Sequence, residues 1–99
     1  MTLSPARSVA LVTGGSRGIG AAISRRLAAD GHAVAINYAG RCDDAEALAA
    51  ELNAAGAQAI ALQADVADPQ AVYQLFNAIE ARFGGIDVVV NSAGVLQLA

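Results

Sequence analysis

Lysine is missing altogether: the 99-residue chain carries six basic residues, and all six are Arg. Any chemistry that leans on a lysine ammonium therefore has no provider in these residues. Charge is scarce in general, at 15% of the chain, so most secondary-structure elements must be buried on at least one face. A basic surplus is also lacking. The net charge of −3 and pI near 4.7 argue against nucleic acid or an anionic membrane as the main partner. Only one cysteine is present, Cys42, so no internal disulfide can form, as suits a reducing cytoplasm. It stands beside Asp43 and Asp44, where a thiolate is disfavoured, and reads as a surface or loop cysteine without a role. Long apolar runs are absent. Met1 to Arg7 lacks the core of a signal peptide, and no stretch approaches the roughly 18 unbroken apolar residues of a membrane span. The expectation is a cytoplasmic protein with neither nucleic acid nor membrane as partner.

What is present is a hydrophobic fraction of 56%, much of it alanine, arranged as alternating strand and helix. Ser8 to Thr13 is a short apolar run broken by Gly14-Gly15, the pattern of a buried strand. From Gly18 the period changes: Ile19, Ile23 and Leu27 recur every fourth residue, and Gly31 provides the stop. Ala33 to Tyr38 is a second strand. Asp43 or Asp44 then offers an N-cap, Leu48 and Leu52 give an apolar stripe, and Gly56 ends that helix. Ala57 to Ala64 alternates loosely as a third strand. Asp68-Pro69 is a strong helix start, followed at helical spacing by Val72, Leu75, Phe76, Ile79 and Phe83, with Leu75, Phe76 and Phe83 assigned to the core. Gly84-Gly85 closes this helix, and Ile86 to Asn91 is a Val-rich fourth strand. The order βαβαβαβ with right-handed crossovers predicts an α/β fold, a parallel sheet covered by helices on both faces. Residues 1–99 read as a single domain without repeats or linkers. The sheet order 3-2-1-4 leaves the fourth strand as an edge, and Val95 to Ala99 is apolar and uncapped, so the chain reads as truncated.

One motif carries ligand chemistry: Thr13-Gly14-Gly15-Ser16-Arg17-Gly18-Ile19-Gly20, at a strand-to-helix junction. A bound diphosphate needs close approach of the backbone, which side chains would prevent. Gly14 permits the sharp exit from the strand, Gly18 lets the main chain reach the phosphates, and Gly20 allows the helix to pack on the sheet. The helix start adds free N–H groups and a partial positive charge. Its spacing, T-G-x-x-x-G-x-G, differs from the dinucleotide fingerprint G-x-G-x-x-G. Here the chain resembles the short-chain dehydrogenases/reductases. That family also carries an N-N-A-G motif after its fourth strand, matched by Asn91-Ser92-Ala93-Gly94, and an Asp after its third, matched by Asp65-Val66. All three motifs fall in register with the predicted strands, so the likeness covers essentially the whole chain.

The resemblance implies the first four strands of a Rossmann-type doubly wound sheet, the N-terminal part of an NADP(H)-binding domain. It gives Asp65 a hydrogen bond from the adenine amino group and Val66 a backbone contact to the same ring. Ser16 and Ile19 belong to the phosphate loop. Asn91 would tie the fourth strand to Thr13. Ser92 replaces the Asn that faces the cofactor ribose, with a shorter reach, and Ala93 and Gly94 would pass the cofactor through their backbone. Cofactor choice rests on charge. A carboxylate at the end of the second strand selects NAD through the ribose 2′-OH. The place to look is 18 residues past Gly20 (38 − 20 = 18), where Asn37, Tyr38 and Ala39 stand, and the first acid, Asp43, comes too late. Arg17 reaches that corner and Arg41 lies nearby, which suits the 2′-phosphate of NADP(H).

In the resembled family hydride passes between the nicotinamide and a carbonyl or alcohol substrate. A Tyr-x-x-x-Lys pair and a Ser act on the substrate oxygen. Tyr38 and Tyr73 are present, but without any Lys neither belongs to that motif, and no catalytic residue is assigned. The loop and the Asn37-Tyr38 strand end look most like the 3-oxoacyl-carrier-protein reductases, and the resemblance implies a homo-oligomer at full length. A non-catalytic NADP(H)-binding sensor is the alternative, distinguished by whether Ser and Tyr-x-x-x-Lys follow downstream. A methyltransferase would want an acid ending the second strand. His32 is expected to face solvent and Asp87 to orient a turn, and no metal site is expected.

Overall fold

β1 (Val9–Thr13) is buried along its entire length and takes the centre of the fold, paired on both flanks. The computed structural model describes residues 8–14, 16–40 and 42–92. After β1 come α1 (Gly18–Ala29), β2 (Ala33–Tyr38), α2 (Asp43–Ala54), β3 (Ala59–Gln63), α3 (Pro69–Phe83) and β4 (Val88–Asn91). The four strands form one parallel sheet in the order β3-β2-β1-β4. The register sets Val9 against Ala33, Leu11 against Val89 and Ile36 against Ala61.

Because strand side chains alternate between faces, β1 feeds two separate cores. Val12 joins Val34 and Ile36 beneath Ala21 of α1 and Ala45, Leu48, Ala49 and Leu52 of α2. Val9 and Leu11 join Ala33 and Ala35 beneath Leu75 and Ile79 of α3. Small alanines at these strand positions let the helices sit close to the sheet. Two helices therefore cover one face and α3 covers the other.

The sequence-based boundaries hold to within a few residues, and the departures have physical reasons. β1 starts at Val9, β3 runs from Ala59 to Gln63, and β4 starts at Val88. Asp87 stands just outside β4. Its carboxylate accepts the Val9 N–H at 2.8 Å while its own N–H donates to the Val9 carbonyl at 2.8 Å. It orients more than a turn: it fastens the start of the edge strand to the start of the central one. α2 is preceded by Cys42, which is exposed and makes no side-chain cap, and Asp43, Asp44 and Glu46 fall inside its first turn. There they gain from the helix dipole rather than from capping. Phe76 is 37% exposed and not core, since it lies about 100° around α3 from Leu75, which faces the sheet. Phe83 is half-buried against the second cluster. His32 is half-buried rather than facing solvent, and its Nδ1 is enclosed without a hydrogen-bond partner among the described residues.

α3 begins as its sequence predicts. The Asp68 carboxylate accepts the Gln70 N–H at 3.0 Å, Pro69 occupies the first turn, and Gly84 ends the helix. Asp68→Ala should therefore cost about 1 kcal/mol of stability, read as a lower urea midpoint with an unchanged slope. An unchanged midpoint would mean that the cap contributes nothing.

Candidate functional site

In a parallel sheet all strands deliver their C-terminal ends to one edge. Here Thr13 stands beside Asn91, and Tyr38 beside Gln63. The loops leaving these ends converge, as at the crevice where α/β folds bind ligands.

The loop from β1 into α1 is shaped by two glycines. Gly14 has φ 66° and Gly18 φ 56°, left-handed values that side chains with a Cβ resist. A Cβ added at Gly18 would meet no atom of the other described residues within 4 Å beyond its chain neighbours and its own helix, so the space beside this backbone is open. Arg17 stands in the cap position of α1 without a side-chain capping bond, and the first turn contains no acid. Ile19 is 74% exposed at that helix start, an apolar side chain without cover. Gly20 is buried, and the Ser24 hydroxyl donates to its carbonyl at 2.9 Å.

Neighbouring strands pin the loop from both sides. The Thr13 hydroxyl donates to Asn91 Oδ1 at 2.9 Å, tying β4 to β1 at the loop's root. Ser92 donates its hydroxyl to the Thr13 carbonyl and, at 3.2 Å, to that of Gly14. Ser92 stands where the family's ribose-facing Asn does, with a shorter reach. The structure turns it back into the loop, where its single carbon reaches. On the other side Asn37 is 2% exposed, and its amide is spent on backbone. Its Nδ2 donates to the carbonyls of Leu62 at 3.4 Å and Ala64 at 3.1 Å, while Oδ1 accepts the Gly14 N–H at 3.4 Å. Asn37 thus acts on the site through Gly14 rather than by lining it.

Gly14, Ser16, Arg17, Tyr38, Ala39, Gly40 and Asp44 line a cavity of about 340 Å³ beside the loop. Burial raises the Tyr38 hydroxyl pKa first, with electrostatic contributions from Cys42 and Glu46 in the same direction, and the phenol is neutral at physiological pH. Asp44 is the residue that chain counting passes over. The chain bends at Ala39 and Gly40, and Asp44 in the first turn of α2 lines the same cavity as the glycine loop. Arg17 Nε then stands 3.7 Å from Asp44 Oδ2. The sign of this arrangement was available in the short spacing between the β2 end and the α2 start.

Asp65 and Val66 lie at the end of β3, both exposed and outside that cavity's lining. The exposed Asp65 carboxylate accepts the Ala67 N–H at 2.9 Å. Arg41, Ala93 and Gly94 lie outside the described residues. Among the described residues no cluster of three or more His, Cys, Asp or Glu side chains could hold a metal ion. No described helix is long and apolar enough to cross a membrane.

Residues 8–99 match the short chain dehydrogenase family. A 3-oxoacyl-[acyl-carrier-protein] reductase FabG of Staphylococcus epidermidis is 48% identical over 88 residues, covering 89% of this chain and 36% of the relative. A dehydrogenase/reductase from Sinorhizobium meliloti superposes with a TM-score of 0.86 at 47% identity, over 92% of this chain and 36% of that one. A short chain dehydrogenase from Burkholderia cenocepacia, solved in complex with NADP, gives 0.81 at 55% identity, over 85% and 34%. The chain spans about a third of the length of these relatives.

Proposed function

The chain belongs to the short chain dehydrogenase family of oxidoreductases, and on that premise we propose that it forms the NADP(H)-binding part of an enzyme acting on a carbonyl or alcohol substrate. The observation that carries the reading is the glycine loop. Its open space at Gly18, uncapped helix start and acid-free first turn together suit a diphosphate. Backbone N–H groups from Gly18 to Gly20 would meet the phosphates, with Ser16 and Ile19 beside them. Arg17 and the strand end at Tyr38 would take the 2′-phosphate, and Asp65 with Val66 the adenine. Ala93 and Gly94 would follow along the cofactor. Bound there, the nicotinamide supplies the hydride for the reaction. These residues bind and orient; with no lysine among them, the chain supplies no Tyr-x-x-x-Lys pair.

NADPH should bind more tightly than NADH. Arg17→Ala should remove a charge-assisted contact worth about 1.5–3 kcal/mol, a roughly 10- to 150-fold weaker NADPH affinity with NADH little changed. Calorimetric titration of both dinucleotides into the intact protein tests this. Equal affinity of the wild type for NADH and NADPH would defeat the assignment.

A further inference from the structure

We propose that Asp44 is a specificity-determining residue: its carboxylate holds Arg17 as a counter-ion and so competes with the 2′-phosphate of the cofactor. The inference rests on the NADP(H) reading above and adds a residue that opposes it. An exposed pair at 3.7 Å, with the side chains 78% and 53% accessible, is weak in itself. Its position is what gives it a role. Asp44 and Arg17 line the same cavity, together with Gly14, Ser16, Tyr38, Ala39 and Gly40, and Asp44 is the only carboxylate among these seven residues.

The charge of Asp44 is also favoured where it stands. It lies in the first turn of α2, whose dipole favours its charge, and the turn at Ala39-Gly40 brings that helix start back to the glycine loop. A dianionic phosphate entering the cavity must take Arg17 from this carboxylate. A ribose without the phosphate faces no such conflict, and a carboxylate can accept its 2′-hydroxyl. Arg17 favours one dinucleotide, Asp44 narrows that preference, and the two act through one ion pair.

The test is a double-mutant cycle on the intact protein, with NADPH and NADH titrated separately. Asp44→Asn removes the charge at nearly constant volume from an exposed position. It should tighten NADPH about three- to tenfold and leave NADH unchanged or slightly weaker. In an Arg17→Ala background the same substitution should change NADPH affinity by less than about twofold. An unchanged NADPH-to-NADH ratio in Asp44→Asn overturns the proposal, as does a ratio change that persists in full without Arg17. A wild type that binds both dinucleotides equally yet gains NADPH affinity on Asp44→Asn upholds Asp44 while defeating the cofactor preference. Absence of binding by either dinucleotide defeats both.

Discussion

Gly18→Val should lower nucleotide affinity by at least about 100-fold, the cost of displacing a diphosphate from two or more charge-assisted backbone contacts. Two effects act together. The isopropyl group would fill the open space beside the loop, where a Cβ would meet no other described residue within 4 Å. In addition, φ of 56° is a strained conformation for a β-branched residue, worth roughly 1–3 kcal/mol. The residue touches no core side chain, so the sheet and helices should persist with reduced stability. Circular dichroism and nucleotide titration on one sample separate the two effects: native ellipticity with binding lost is the expected pair. Native ellipticity with affinity within a few-fold of wild type would place the phosphates elsewhere.

A large loss of stability should follow Asn37→Ala. This side chain is essentially without solvent contact and satisfies three backbone groups on two different segments: the Gly14 N–H and the carbonyls of Leu62 and Ala64. Truncation removes these bonds, leaving the Gly14 N–H and the Ala64 carbonyl short of a partner beside the void of an amide. Two of the bonds are long at 3.4 Å, so the expected cost is about 2–4 kcal/mol rather than the sum of three strong bonds. Asn37→Asp should be worse, since a carboxylate would face two carbonyl oxygens in a buried place. Urea unfolding of both variants gives the comparison. A loss below about 0.5 kcal/mol for the alanine variant would show that water replaces the amide at no cost.

The fold was legible where local chemistry and periodicity agreed. Asp68-Pro69 and Gly84 bracket α3 with a cap, a preset φ and a stop, and the structure begins and ends the helix there. The breaks at Gly14-Gly15, Gly31 and Gly56 divide apolar runs whose order already implied the sheet arrangement 3-2-1-4. What a linear reading missed was what lies across a turn. Asp44 is six residues beyond Tyr38 along the chain, yet it shares a cavity with it because Ala39 and Gly40 fold the path back. Asn37 and Ser92 looked free to meet a ligand, since their type and position suggested it. In the structure the Asn37 amide bonds to backbone of Gly14 and Ala64, and the Ser92 hydroxyl to the carbonyls of Thr13 and Gly14. Phe76 shows the same limit from the apolar side. A helical stripe identifies a face but not its width, and a sheet covers only the middle of it.

The central place of β1 also imposes an order on synthesis. Its first neighbour, β2, arrives after only 24 residues (Ala33 against Val9, 33 − 9 = 24), so that pairing closes a short loop. Its other flank waits for β4, and the Asp87 carboxylate that secures the Val9 N–H is 78 residues away. At roughly 5–20 residues per second, a ribosome needs about 4–16 s to deliver it. During that interval the buried run Val9–Thr13 has one row of hydrogen-bonding groups without a partner. The nascent chain therefore carries its most hydrophobic strand half-paired for seconds, a period in which neighbouring chains on a polysome or a holdase chaperone compete for the edge that β4 finally covers.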